Sequence, residues 1–267
     1  MAIHPTAIVD RRAEVDPACE IGPFTLVDGP VRLGPRVRLV SHVSVVGNVS
    51  VGADAVLFPG VHVGHEPQDV SYRGQASAVR IGERSVLREG CVVHRGSQEG
   101  AETVVGPDCF LMSNVHVAHD CRVAEHVILA TGAVLGGHVH VGERAFISGN
   151  CVVHQHVRVG RLVMMRGLAR ASLDLPPFCI ADETSVVRGV NRIGLRRAGM
   201  DATAIRAVAR AVRMLFVRRG LLRDALAAVE EALGEVPEVA ELLAFVRGSA
   251  RGVARGPRGR GAGGVDA

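Results

Sequence analysis

Residues 105–158, written six at a time, read VGPDCF LMSNVH VAHDCR VAEHVI LATGAV LGGHVH VGERAF ISGNCV VHQHVR. Every hexad opens on Val, Leu or Ile, and the beat extends upstream through Leu87, Ile81, Val63, Leu57 and Val51 to Ile3, and downstream to Val159. Of the 27 in-phase positions from 3 to 159, 24 are Ile, Leu or Val; the exceptions are Asp69, Gln75 and Glu99. A period of six belongs neither to a helix nor to an alternating sheet, which repeat at 3.6 and 2. Glycine often follows the aliphatic residue, as in Ile21-Gly22, Val51-Gly52 and Val141-Gly142, and lets the chain turn a tight corner without a Cβ clash. Six residues thus make one short strand and one corner, and three hexads close a triangular coil with the aliphatic rungs inside. Successive coils stack as parallel strands roughly 4.8 Å apart. By this count residues 3–164 make nine coils.

Two stretches keep the phase while losing the pattern: HEPQDVSYRGQASAV after Gly64 and RGSQEGAET after His94. They read as loops at about 64–80 and 94–104, and loops expelled from a rigid solenoid tend to carry function. The solenoid domain is assigned to 1–182. From Asp201 the apolar spacing turns helical, through Ile205, Val208, Val212, Leu215 and Phe216, then Leu222, Leu226 and Val229, then Val239, Leu242, Leu243 and Val246. Gly220 and Gly234-Glu235-Val236-Pro237 are stops between helices. A helical domain over 183–252 is expected to cap the prism, and the Gly/Arg-rich residues 253–267 read as a disordered tail. The fold class is an all-β solenoid plus α.

Composition removes several functions. Aromatic residues are 3% of the chain, with no Trp and one Tyr, Tyr72, which argues against a reader that stacks nucleobases or sugars. All 31 basic residues are Arg, so Schiff-base lysine chemistry and a Walker-type phosphate lysine are excluded. A net charge of +4 fits an acidic partner or a phosphate-bearing ligand better than nucleic acid. The six cysteines, Cys19, Cys91, Cys109, Cys121, Cys151 and Cys179, form no CxxC pair, against a zinc knuckle or dithiol site. Neither a signal-peptide pattern nor a run of 18 apolar residues is present, so a cytoplasmic protein with reduced thiols and no stable membrane insertion is expected.

The repeat length turns sequence positions into columns. His119, Gly137 and Gln155 fall on three successive coils, and Asp120, His138 and His156 fall beside them. An imidazole and a carboxamide about 10 Å apart, with a bare glycine between, make a groove with a titratable base on one wall. A neutral imidazole takes a proton from a hydroxyl at physiological pH, which Ser, Asn or Arg does not. The bland alternative is a row of imidazoles hydrogen-bonded along a prism edge. A second alternative gathers His94, His116 and His119 around zinc at a subunit seam, as in a carbonic-anhydrase-type hydrase.

The chain resembles the hexapeptide-repeat acyltransferases, and within them the UDP-N-acetylglucosamine O-acyltransferases of lipid A synthesis. The residues that carry this are Gln68-Asp69, Val93-His94-Arg95-Gly96, His116-Val117-Ala118-His119-Asp120-Cys121, Gly136-Gly137-His138-Val139, Val153-His154-Gln155, Pro176-Pro177 and Gly189-Val190-Asn191. The resemblance implies a left-handed parallel β-helix with a small C-terminal helical domain, assembled as a homotrimer with sites between prisms. It implies transfer of a (3R)-hydroxyacyl chain from acyl carrier protein to the sugar 3-hydroxyl of UDP-N-acetylglucosamine, with no cofactor and no resident metal. His119 takes the catalytic-base position, Asp120 the orienting position, and the backbone N–H of Gly137 the oxyanion donor. Because adjacent strand residues face opposite ways, the Asp120 role requires a corner. Gln68 and Asp69 contact the sugar nucleotide; His94, His116, His138, His154 and Gln155 line the groove; Asn191 and Arg197 reach the nucleotide side; Gly167 stands where acyl length is set.

Departures from the family pattern are local. Ser71 replaces a lysine, with Arg73 expected to supply the missing charge, and Arg197-Ala198 replaces paired arginines. His156 replaces an aromatic residue, and Arg166 and Arg170 flank Gly167, a glycine that leaves room for a longer chain. These changes leave open a divergent paralogue, a related N-acyltransferase acting on an amino sugar nucleotide, which ordinarily carries an extra N-terminal domain, or a non-catalytic scaffold.

Overall fold

A computed structural model describes residues 2–217 and 221–257. The hexads form a left-handed parallel β-helix with three walls. The first wall has eleven strands, from Ala2–Ile3 to Val186–Val190; the second has nine, from Ile8–Val9 to Arg170–Ala171; the third has eight, from Glu14–Val15 to Arg158–Val159. Register is set by the rungs: Ile3 pairs with Ile21 and Val117 with Leu135, so aliphatic stacks on aliphatic. The pairing offset widens at Val56↔Val86 and Val86↔Phe110, where the two loops leave the helix. Together the loops absorb one coil's worth of chain. Residues 3–164 therefore hold eight complete coils, not nine, and a ninth is begun by Met164–Met165 and Arg170–Ala171.

The rungs Ile21, Leu57, Leu111, Leu135 and Ile147 are fully buried, each contributing about 1.5–3 kcal/mol of hydrophobic stabilisation. Two residues before each rung the interior takes a small side chain, and this is where five of the six cysteines lie. All six are free and buried. Burial pushes the Cys121 thiol up to about 12, and its Sγ–H donates to the Gly136 carbonyl of the next coil at 3.1 Å.

The corners differ from the sequence expectation. The left-handed backbone falls three residues after the rung, where Gly60, Gly90 and Gly132 stand on three corners but most carry a side chain: Asp54, Asp108, Asp120, His138 and Asn150 have φ between 54° and 60°. Asp, Asn and His tolerate this region best among non-glycine residues. The glycines directly after the rung serve close approach instead. A Cβ on Gly82 would stand 2.3 Å from the Pro107 nitrogen of the next coil.

The outer faces of the walls are unlike. The first wall presents Glu20 and Arg38 in its early coils and then Val56, Val86, Phe110, Ile128, Phe146 and Met164; the second presents Ser44 and His62, then Val92, His116, Val134 and Val152, and ends on Arg170; the third presents Glu14, Arg32, Arg80, Arg122, His140 and Arg158.

The assigned boundary at 182 falls inside a hairpin. Cys179–Asp182 continues the first wall and pairs antiparallel with Val186–Val190, so the helical part begins only at α1, Arg192–Arg197. α2 spans Ala202–Val212, capped by Asp201, whose carboxylate accepts from Thr203 and Ala204 N–H. A π-helical turn, Arg213–Val217, follows it. α3 is Leu222–Leu233 and α4 is Pro237–Arg247, with Pro at the helix start. Gly220 and residues 258–267 lie outside the described residues. The tail expectation is corrected for its first part: Val253 and Ala254 are buried and Val253 bridges Asp174 in parallel, because the aliphatic side chain fills the end of the prism. No helix among the described residues is long and apolar enough to cross a membrane.

Candidate active site

Both loops leave the prism between the second and third walls, over residues 64–77 and 94–101. The His119, Gly137 and Gln155 column occupies the same edge, following the strands His116–Val117, Val134–Leu135 and Val152–Val153. His138 N–H donates to the His119 carbonyl at 3.0 Å and His156 N–H to the Gly137 carbonyl at 2.9 Å, which locks the two columns in register.

The left-handed corner at Asp120 lets consecutive side chains meet. His119 Nδ1 lies 2.7 Å from Asp120 Oδ2. A carboxylate only accepts, so Nδ1 is the donor and the neutral ring carries its lone pair on Nε2. The Asp120 carboxylate is itself held by two donors from the second loop: Ser97 N–H at 3.1 Å and Ser97 Oγ–H at 2.7 Å. Asp120 N–H donates to Thr103 Oγ1 at 2.8 Å. Burial pushes the Asp120 carboxyl up, but hydrogen bonds from His119 and Ser97 outweigh it and hold the group below the usual carboxylate range. The sequence does not single out Ser97 or Thr103; both fall in the stretch assigned to the second loop, which is the one signal available for either.

The His119 ring rests over Gly137, where a Cβ would stand 2.5 Å from Cε1 and 2.6 Å from Nε2. The coil-to-coil bonds on either side start from Gly136 and His138, leaving the Gly137 amide outside that ladder. His138 stands edge-on to His119 at 5.1 Å between centroids and stacks on His156 at 4.5 Å and 7°. Its Nε2 is 3.6 Å from Asp120 Oδ2, and burial pushes its titration below the ordinary imidazole value.

His94 and His116 meet edge to face at 5.3 Å. His94 Nδ1–H donates to the Glu66 carbonyl at 2.6 Å, while Nε2 of both rings is buried without a partner among the described residues. Burial pushes both rings toward the neutral form. The zinc arrangement of His94, His116 and His119 is not formed within the chain. Among the described residues the donor atoms that converge within 4.8 Å belong to His119, Asp120 and His138, and Asp120 Oδ2 is already engaged by His119 and Ser97.

In the first loop, Asp69 Oδ1 accepts from Ser71 N–H and Oγ–H, both at 2.8 Å. Those bonds lower its carboxyl. Gln68 is exposed beside it. Arg73 does not turn toward Asp69: Nη1 donates to the Val70 and Tyr72 carbonyls of its own loop. The loop is braced by Arg95, which donates to Tyr72 Oη at 3.1 Å and pairs with Glu66. His154 and Gln155 are exposed on the groove edge.

Three expected residues lie elsewhere. Gly167 sits on the edge between the first and second walls, with only the Gly149 carbonyl near a notional Cβ, at 3.8 Å; Arg166 beside it pairs with Asp182. Asn191 and Arg197 line a cavity of about 730 Å³ between α1 and the first wall. The Asn191 amide is occupied, accepting from Gly194 N–H and donating to the Leu162 carbonyl, because it caps α1. One chain therefore does not bring Asn191 and Arg197 to the His119 edge.

Comparison with known proteins fits this geometry. The family described as "Udp N-acetylglucosamine O-acyltransferase; Domain 2" matches residues 174–254, and the bacterial transferase hexapeptide family matches 102–137. The chain is 36% identical over 255 residues to the acyl-[acyl-carrier-protein]--UDP-N-acetylglucosamine O-acyltransferase of Thermodesulfovibrio yellowstonii, covering 95% of this chain and 99% of that one. It is 38% identical to the enzyme of that name from Anaeromyxobacter sp. (strain K), covering 96% and 100%. Among solved structures, the UDP-N-acetylglucosamine acyltransferase of Bacteroides fragilis superposes with a TM-score of 0.92 at 32% identity, covering 95% and 100%. That of Francisella novicida gives 0.91 at 31%, covering 96% and 95%.

Proposed function

The chain belongs to the UDP-N-acetylglucosamine O-acyltransferase family, and we propose that it transfers a (3R)-hydroxyacyl chain from acyl carrier protein to the 3-hydroxyl of UDP-N-acetylglucosamine, opening lipid A synthesis in the cytoplasm. The observation that carries the mechanism is the His119–Asp120 pair, an imidazole whose Nδ1–H is fixed on a carboxylate and whose Nε2 is bare. Nε2 takes the hydroxyl proton as the sugar oxygen bonds to the thioester carbonyl carbon. The oxyanion so formed is accepted by the Gly137 N–H, a donor preorganised in a rigid coil. The C–S bond then breaks and the proton passes from His119 to the departing thiolate. Atoms and charge balance with no cofactor and no acyl-enzyme. Gln68, Asp69, His94, His116, His138, His154 and Gln155 line the path of the two substrates, and the acyl chain lies across the apolar second wall toward Gly167.

The active form in this reading is a homotrimer. From the fourth coil on the first wall is apolar and from Val92 to Val152 the second is mostly so, while the third is charged, so the first wall of one copy seats on the second wall of the next, a head-to-tail contact that a three-fold axis closes. That contact also carries the neighbour's Asn191 and Arg197 cavity to the His119 edge. Mass spectrometry of the product from UDP-N-acetylglucosamine and hydroxyacyl carrier protein tests the reaction. His119→Ala is expected to lower kcat by roughly 10²–10⁴-fold; unchanged turnover in that variant overturns the mechanism, and a monomer by light scattering overturns the assembly.

A further inference from the structure

The chain leaves α4 and returns to the end of the prism as a strap. Asp174 N–H donates to the Gly252 carbonyl at 3.0 Å, Ala254 N–H to the Asp174 carbonyl at 2.8 Å, and Val187 N–H to the Arg255 carbonyl at 2.8 Å. Ser249 Oγ–H donates to the buried Asp174 carboxylate at 2.9 Å. None of these bonds uses the Arg251 side chain. That side chain turns instead onto the groove edge: Nε–H donates to the Ser172 carbonyl and Nη2–H to His154 Nδ1, each at 2.9 Å.

Arginine only donates, so in this contact His154 accepts on Nδ1, and the Gln155 carbonyl 3.1 Å from the same nitrogen then receives no proton from the ring. Two of the five guanidinium N–H groups are used and three remain. Arg158 is neutralised by Asp174, Arg161 by Glu241, Arg166 by Asp182 and Arg247 by Glu230, while Arg170, on the strand that leads to Ser172, is exposed and adds a second cation without a carboxylate partner among the described residues. Arg251 has no carboxylate partner among the described residues. A planar cation held on two sides matches the oxygens of a phosphate and loses little side-chain entropy when it binds one.

We propose that Arg251, anchored on His154, is a phosphate-binding residue of the groove. The inference rests on the acyl-transfer reading above, in which both substrates bring phosphate: the diphosphate of the sugar nucleotide and the phosphodiester that links the thiol arm to the carrier protein.

Kinetics with Arg251→Ala and Arg251→Lys in the full-length chain test it, using hydroxyacyl carrier protein and a hydroxyacyl N-acetylcysteamine thioester that lacks phosphate, with UDP affinity measured by calorimetry. If the carrier's phosphodiester is the ligand, Arg251→Ala raises KM for the carrier substrate about tenfold, leaves the phosphate-free thioester unaffected and leaves UDP binding intact. If the nucleotide is the ligand, UDP binding weakens about tenfold and its KM rises with either donor. Arg251→Lys, which keeps charge without the fork, falls between wild type and Arg251→Ala in either case. An unchanged KM for every substrate with unchanged UDP affinity overturns the proposal. So does an equal fall in kcat with both donors, the signature of a strap that only holds the fold. Wild-type protein without turnover on any pair would instead remove the acyl-transfer reading itself.

Discussion

The edge after the third wall and the edge after the second are built from the same hexad corner and hold opposite chemistry. After the third wall come Gly34, Gly52, Gly82, Gly106, Gly142 and Gly160, and there successive coils touch backbone to backbone. After the second wall come the two loops and the imidazoles. Gly137 belongs to this second edge, and what excludes a side chain from it is different: a Cβ on Gly82 meets the Pro107 nitrogen and the Gly106 carbonyl carbon, whereas one on Gly137 meets the His119 ring. Backbone in a stacked coil cannot yield; a side chain can rotate. One glycine is a packing requirement and the other is a vacancy kept for a reacting group.

The sharpest test sets these two glycines against each other. Gly137→Ala is expected to turn the His119 ring off Asp120 and lower kcat about 100-fold while leaving the urea midpoint nearly unchanged. Gly82→Ala is expected to cost about 2 kcal/mol of stability, read as a lower midpoint with an unchanged m-value, while the folded fraction keeps its kcat. If Gly137→Ala unfolds the protein as readily as Gly82→Ala, the two edges are alike and the contrast fails.

Ser97 marks how far the active edge depends on its loop. With Ser97→Ala, Asp120 keeps its bonds to His119 and to the backbone N–H of residue 97 and loses the hydroxyl donor that shares its charge, so kcat is expected to fall about tenfold. Ser97→Thr keeps both donors and is expected to restore kcat. A tenfold loss that Ser97→Thr does not recover would reduce Ser97 to a packing role.

Much of this was legible in sequence because the fold is periodic. The rungs, the loop positions and the columns of His119, Gly137 and Gln155 follow from counting, since every coil repeats one geometry. Counting fails where the period is broken or a residue has two uses. The Cys179–Val190 hairpin has no six-residue beat, and the coil count ran one too high because the loops keep phase while leaving the prism. Asn191 is expected as a ligand contact, and its position before Arg192 gives it a second use as a helix cap that the six-residue count does not show. Ser97 and Arg251 reach Asp120 and His154 across 23 and 97 residues, and nothing local in the sequence announces such contacts. The corner at Asp120 was legible only as a requirement; the positive φ that meets it is a property of the closed coil.

Acid separates the edges once more, by the smallest effect. The corner pairs Arg36–Asp54 and Arg84–Asp108 are exposed, and their carboxyls are held below the usual range mainly by the arginine hydrogen bonds. Stability they contribute is present above the unfolded carboxylate value near 3.9 and is lost only as pH falls below it. His94 and His116 behave otherwise. Burial depresses both, so the folded state favours the neutral rings; their contribution is complete above the unfolded imidazole value near 6.5 and is lost as pH falls through the lower folded values. Between about pH 7 and pH 5 the loop edge therefore loosens while the glycine edge stays closed. The His94–Glu66 bond ties the first loop to the prism, which makes that loop the first segment to respond. Hydrogen exchange compared at those two pH values, after correction for the intrinsic rate, is expected to show lost protection at Arg95 N–H, which donates to the His65 carbonyl. Gly82 N–H, bonded to the Val105 carbonyl, is expected to keep its protection, and equal loss at both positions would mean that the prism responds to acid as one body.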